Sequence, residues 1–396
     1  MRYFVPVLLT LFVLAALLRV DFYFTIVYLL LALFLLSRLW TQRTVNALHV
    51  RRRYSERAFL GDRVEVEVIL QNRSGLPMPW VELNEQLPVE LRIPPFYRRV
   101  LSLGRQEQCD LQYTLVCRRR GYYPIGPLQI RTGDLFGFHR NQSLTLPPDH
   151  LIVYPKVVPL QQLGLPTRSP LVSLPAHSPL FEDPSRVMGV RAYQRGDSPR
   201  RIHWTATAGA GQLLVKQYQP AIARETLICL DLNEEDFERG VRFTATELAV
   251  VVAASLATHI IVREGLPAGL AVAAWDPLQE KQTSSTLLPR SERAHLMYLL
   301  ELLARVQVTE GMPFAEMIRQ ESARLPWGAT IVVIAGAEGE SLLDTLLYLQ
   351  RAGFAVALVL VQSNAPSTAL KERAALLRIP IHRVWNERDI EAWTTI

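Results

Sequence analysis

His203 follows Asp197 by six residues in the string Met188-Gly189-Val190-Arg191-Ala192-Tyr193-Gln194-Arg195-Gly196-Asp197-Ser198-Pro199-Arg200-Arg201-Ile202-His203-Trp204. A histidine within reach of a carboxylate is the pair that general acid–base chemistry uses. The same string reads equally well as a structural element. Gly196-Asp197 is a turn, Ser198 suits a helix N-cap and Pro199 the first helical position. A short helix would then carry Arg200, Arg201, His203 and Trp204 until Gly209 and Gly211 end it, with a strand resuming over 212–218. Two arginines in a first helical turn oppose the helix dipole. Their placement calls for partners: Asp197, Glu182, Asp183 or a separate molecule. His203 packed beside Trp204 is expected to bond to structure rather than to turn over a substrate.

Other catalytic patterns are missing from the sequence. No Gly-x-x-x-x-Gly-Lys-Ser/Thr occurs, and Gly209-Ala210-Gly211 lacks the lysine and the preceding strand of a phosphate loop. No Gly-x-Ser-x-Gly turn is present. The eight histidines, 49, 139, 150, 177, 203, 259, 295 and 382, have no ligand spacing. The chain is expected not to be an enzyme and to need no cofactor.

The elements around this string are legible from periodicity. From Thr226 onward apolar strands (226–232, 268–275, 329–335, 354–361, 379–384) alternate with helical stretches (244–263, 290–305, 313–324, 339–351, 367–377). That rhythm predicts a mostly parallel sheet covered on both faces, an α/β Rossmann-like domain over 226–396. Asp276-Pro277 turning back into 283–288 predicts one antiparallel edge hairpin. The helix at 244–263 is apolar enough to resemble a membrane span, but Glu247, His259 and Arg263 favour a core helix. Upstream, Val64, Val66, Val68 and Leu70 alternate with Arg63, Glu65 and Glu67, and turn signals recur to Pro148-Asp149. This predicts an antiparallel β-sandwich over 44–155, immunoglobulin-like in size. Seven prolines from Pro155 to Pro184 predict an extended linker over 156–187, followed by the string's own segment over 188–225.

Two apolar runs, 3–18 and 22–36, open the chain. One continuous helix would reach roughly 50 Å, against a bilayer core of about 30 Å, and would bury Arg19 and Asp21. A two-helix membrane anchor over 1–43 is expected instead. Arg38, Arg43 and Arg51–Arg53 flank it, so both ends face the cytoplasm. Arg51–Arg53 is placed where anionic headgroups attract it. The basic excess of +6 comes from 39 arginines against four lysines. This skew is compositional, so no nucleic-acid partner is expected. Three cysteines without a CxxC fit a reducing compartment, and Cys109 and Cys117, eight residues apart on one alternating stretch, are too distant for a disulfide.

The central string resembles the signature of the bacterial and archaeal family called domain of unknown function 58. In that family an Arg-x-Tyr-x-x-Gly-Asp-x-x-Arg-x-Ile-x-Trp core precedes a von Willebrand factor type A-like domain. Arg191, Tyr193, Gly196, Asp197, Arg200 or Arg201, Ile202 and Trp204 stand at the matching positions. Arg120-Gly121-Tyr122 and Asp134-Leu135-Phe136-Gly137 are similar to the family's sandwich motifs. Thr207-Ala208-Gly209 departs from a usual Ser-Ala-Arg. The resemblance implies a MoxR-type AAA+ ATPase as partner and an unknown client protein. A type A-like domain also often binds Mg²⁺ through Asp-x-Ser-x-Ser. Here Asp231-Leu232-Asn233-Glu234-Glu235 leaves Asp231 and Asn233 as weak metal candidates, and Asp231 is expected to bond nearby amides instead. The expectation is therefore a non-catalytic adaptor on the cytoplasmic face of the inner membrane. Arg191, Tyr193, Arg195, Gly196, Asp197, Arg200, Arg201, His203 and Trp204 would form its partner or domain-junction surface. A membrane-bound hydrolase using Asp197, His203 or Asp231, and an outward-facing adhesion module, are the alternatives.

Overall fold

A computed structural model describes residues 4–18, 21–134, 142–160, 182–194, 202–220, 225–311, 313–377 and 379–392. The chain divides into two compact units, Met1–Lys156 and Val157–Ile396.

The first unit opens with helices α1 (Phe4–Leu18) and α2 (Asp21–Asn46). They lie side by side, with the Phe12 and Phe24 rings edge to face at 6.1 Å. Leu9, Phe22 and Leu36 are among the side chains that point outward uncovered. At 26 residues α2 is long and apolar enough to cross a membrane. The 15 residues of α1 reach only about 22 Å, short of a full span. Arg19, expected at the turn between the helices, lies outside the described residues. The helix also outruns the expected anchor boundary at 43. Thr44 is buried, its hydroxyl donating to the Trp40 and Thr41 carbonyls, so the chain stays helical to Asn46.

Ten strands follow: β1 (Leu48–Arg53), β2 (Arg57–Phe59), β3 (Arg63–Asn72), β4 (Met78–Gln86), β5 (Phe96–Leu103), β6 (Gln108–Val116), β7 (Gly121–Ile125), β8 (Leu128–Thr132), β9 (Gln142–Leu146) and β10 (Asp149–Tyr154). They form three sheets, ordered β1-β3-β6, β2-β10-β7 and β5-β4-β8-β9, antiparallel except for β2 against β10. Strict alternation explains how they share one core. Val64, Val66, Val68 and Leu70 of β3 are buried, while Arg63, Glu65 and Glu67 face away. Met78, Val81 and Leu83 of β4 and Leu128 and Ile130 of β8 join them.

In the second unit, Val158 and Leu160 are already buried, and the Val158 N–H donates to Ser255 Oγ at 2.9 Å. The expected linker is therefore packed at its start, and it ends sooner than 187. Strand β11 (Glu182–Ala192) pairs antiparallel with β12 (Leu214–Pro220), and Pro184 falls in the register break between Asp183 and Val187. A residue without an N–H is tolerated at such a break. Helix α3 (Trp204–Ala210) stands between the two strands of this ribbon.

The remaining elements form a mixed sheet with helices: β13 (Thr226–Leu230), α4 (Arg242–Thr258) with a π-helical turn (His259–Arg263), β14 (Ala268–Asp276), β15 (Lys281–Arg290), α5 (Arg293–Arg305), α6 (Phe314–Ser322), β16 (Thr330–Ala335), α7 (Glu340–Arg351), β17 (Ala355–Val361), α8 (Thr368–Leu376), β18 (Ile381–Val384) and α9 (Glu387–Ala392). Strand order is β15-β14-β13-β16-β17-β18, with β15 antiparallel and the rest parallel. Every residue of β13 is buried, as are 331–335 of β16 and 356–361 of β17, the uninterrupted runs of a sheet covered on both faces. Helix α4 has the length and apolarity of a span, yet 78% of its apolar window is buried within the unit, which makes it a core helix.

Candidate functional site

Strand β12 lies between β11, which carries Arg191 and Tyr193, and the segment Ile202–His203 that leads into Trp204. The Tyr193 N–H donates to the Leu213 carbonyl at 2.9 Å, and the His203 N–H to the Leu214 carbonyl at 2.8 Å. Ile202 bridges Val215, whose side chain is buried. This pairing keeps Ile202 and His203 extended, so α3 begins at Trp204 and, contrary to expectation, does not carry His203; Ser198 and Pro199, the expected start, lie outside the described residues. The N-cap of α3 is His203, whose Nδ1 accepts from the Ala206 N–H at 3.1 Å, and Gly211 closes the helix at φ 66°. His203 Nδ1 is thereby engaged with backbone. The Trp204 indole is 68% exposed, and Tyr193, across β12 from it, is 37% exposed. The Arg191 guanidinium turns back to the Ala192 carbonyl at 3.1 Å. Arg195, Gly196, Asp197, Arg200 and Arg201 lie outside the described residues.

Asp231 ends the run of β13, only 2% exposed. Its Oδ1 accepts from the Asn233 N–H at 2.9 Å, and the Gly336 backbone also donates to the carboxylate. Burial, together with the Asp236 charge, pushes this carboxyl up to about 7 against the pull of those two amides. Asn233 does not turn an oxygen toward Asp231. Its Nδ2 donates to Asp236 Oδ2 at 3.0 Å. Glu234 pairs with Arg242. The weak metal candidates Asp231 and Asn233 thus spend their polar atoms within the turn. Among the described residues no group of three or more His, Cys, Asp or Glu is placed to hold a metal.

Next to this turn lies a cleft of ≈ 390 Å³ whose walls include Asp236, Phe237, Glu238, Gly336, Glu338 and Trp385. The chain's connections leave β13 for β14 on one side and later return to β16 on the other. The cleft therefore sits at the carboxyl edge where strand order reverses, the usual ligand position in open α/β sheets. Gly336 permits the close approach of Phe237, since a Cβ there would meet the ring at 2.5 Å. Glu338 is already engaged, accepting from Gln362 Nε2 at 2.8 Å and from the Ser367 N–H at the start of α8.

A second buried charge group escaped the sequence reading. Arg52, expected with Arg51 and Arg53 at lipid headgroups, instead has a side chain 1% exposed that contacts Glu85 at 2.5 Å. Glu85 also accepts from the Tyr113 hydroxyl at 2.5 Å, and Arg52 reaches Asp149 at 2.6 Å. Burial works to lower the Arg52 pKa, and the carboxylates outweigh it, so the guanidinium is raised and stays charged. Burial and Glu85 push the Tyr113 phenol far above its ordinary range. The signal was available. Leu48, Val50 and Arg52 share one parity of β1, so the face that buries Leu48 also takes Arg52 inward.

Residues 189–325 match the family described as "Protein of unknown function DUF58". The uncharacterised protein YeaD of Bacillus subtilis strain 168 is 24% identical over 271 residues, covering 66% of this chain and 63% of YeaD. The chain thus spans less than two thirds of that relative's length. Among solved structures, a CARDB domain from Pyrococcus furiosus, in complex with di-metal ions, matches 27% of this chain and 91% of its own at 17% identity and a TM-score of 0.20. The complex of zinc 2-glycoprotein with prolactin-inducible protein from human seminal plasma matches 27% of this chain and 92% of that chain at 14% identity and a TM-score of 0.22.

Proposed function

We propose that the chain, whose residues 189–325 match the DUF58 family, works as a membrane-anchored adaptor. It has no chemistry of its own. It presents a surface to a MoxR-type AAA+ ATPase, whose ATP hydrolysis supplies the work done on a client protein. The mixed sheet with its helices is, in this reading, a von Willebrand factor type A-like domain. The apolar helices hold the chain in the inner membrane with both units on the cytoplasmic side.

The observation that carries the reading is Trp204. An indole 68% exposed costs apolar hydration unless a partner covers it, and buried tryptophans dominate protein interfaces. Tyr193 and Leu213, neighbours across the ribbon, are exposed as well. The hydrolase alternative would use Asp197, His203 or Asp231, and the engagement of His203 Nδ1 as a helix cap weighs against one of the three.

The test is a pull-down of the detergent-solubilised full chain, cross-linked with and without ATP, with partners identified by mass spectrometry. An AAA+ ATPase is expected, reduced about tenfold by Trp204→Ala in a folded variant. Absence of any ATPase under both conditions would remove the adaptor reading.

A further inference from the structure

Between the apolar run of α2 and the first strand lie ten helical residues, 37–46, with two unlike faces. Ser37, Thr41 and Thr44, at i, i+4 and i+7, are buried at 8%, 2% and 3%. Ser37 Oγ donates to Asp134 Oδ2 at 2.5 Å, and Trp40 Nε1 donates to the Pro77 carbonyl at 3.0 Å. The Arg73 N–H donates to the Ala47 carbonyl at 3.0 Å, fixing the helix end to β3's exit. Small hydroxyl side chains let the helix approach closely, and two of them return their hydrogen bond to their own helix, Thr41 to Ser37 and Thr44 to Trp40. Arg38, Leu39, Gln42, Arg43 and Asn46 occupy the opposite side and are exposed.

We propose that residues 37–46 form a two-faced collar: the hydroxyl face fastens α2 to the β unit, and Arg38 and Arg43 bind phosphates of an anionic bilayer surface. Two features select the lipid. The collar continues without a break from an apolar helix that ends at Leu36, so its first turn sits at headgroup depth. Its outward face is cationic, with no carboxylate between 22 and 46. The consequence is mechanical. The anchor is a post, and the β unit is held at one height and orientation over the membrane instead of swinging on a tether. The lipid half rests on the membrane reading; the fastening half does not.

Two measurements on the full chain test it. In detergent, thermal loss of hydrogen-exchange protection at β1 is compared for Thr41→Arg and Gln42→Arg, neighbours on opposite faces. Thr41→Arg is expected to lower the midpoint by about 5–10 °C and Gln42→Arg to leave it within about 2 °C. Equal midpoints would overturn the fastening, and Trp40→Phe, which loses one hydrogen bond, supplies a milder variant should Thr41→Arg fail to fold. In floated vesicles, motionally restricted spin-labelled phosphatidylglycerol is compared with phosphatidylcholine. A preference of about fivefold or more, lost in Arg38→Gln/Arg43→Gln, is expected. No preference overturns the lipid contact, and so does a chain that fails to float. In that last case the membrane reading falls too, while the midpoint contrast still judges the fastening.

Discussion

Each unit buries a carboxylate, and the two are treated in opposite ways. Glu85 in the β unit meets Arg52 at 2.5 Å and the Tyr113 hydroxyl at 2.5 Å. Asp231 in the α/β unit meets only backbone amides and faces the like charge of Asp236. Glu85 ties β4 to β1 and β6, strands of different sheets, across a shared core. Asp231 ends a strand beside an open cleft, and its proton is held loosely near neutrality. A carboxylate satisfied by a cation stays ionised and fixes geometry, whereas Asp231, satisfied by amides alone, is pushed up to about 7 by burial.

The largest break in this contrast is Glu85→Ala, which leaves the buried Arg52 guanidinium with the half-exposed Asp149. A loss of about 3–5 kcal/mol is expected in urea unfolding of the β unit. Replacing both partners by apolar residues, Arg52→Met with Glu85→Leu, is expected to restore most of it.

Asp231 predicts a pH dependence of the unusual sign. Its carboxyl titrates at about 7 when folded and near 3.9 when unfolded. Between those values the folded state keeps a proton that the unfolded state has released. Stability therefore falls as pH rises from about 4 to about 7, by roughly 4 kcal/mol at most. Asp231→Asn should flatten that slope, gaining over wild type at pH 8 and matching it at pH 4, as read from unfolding midpoints. A wild type whose α/β unit is equally stable at both pH values would refute the assignment. A smaller test sharpens the other side: Tyr113→Phe removes one hydrogen bond to Glu85 and should cost about 1.5–3 kcal/mol with little pH dependence below 8.

Much of this was readable from the chain, and the failures have physical causes. Val64-x-Val66-x-Val68-x-Leu70 announces a half-buried strand because a pleated backbone alternates its faces. The five apolar runs after Thr226 announce a covered sheet because both faces exclude polar residues. Helix α4 was ambiguous, since a helix apolar all round suits a core and a bilayer alike. Ile202 and His203 read as helical because Ser198 and Pro199 give a local capping signal, while the pairing of Ile202 with Val215 is decided by the strand that follows the helix. Arg52 was hidden by its neighbours: three consecutive arginines look solvated, and Glu85 and Tyr113 come from other strands. The exposure of Trp204 was likewise invisible, because tryptophan after a helix cap is as easily buried as presented.

Trp204→Ala sits at the small end of the stability scale, within about 0.5 kcal/mol, because the side chain buries little. Its effect on binding decides the central claim. The direct measurement is a titration of a purified MoxR-type ATPase against the full chain in lipid nanodiscs with ATP present, for wild type and Trp204→Ala. The adaptor account predicts saturable binding weakened at least about tenfold by the substitution. Unchanged affinity in the variant would take the ribbon out of the interface. No binding by the wild type would contradict the account itself.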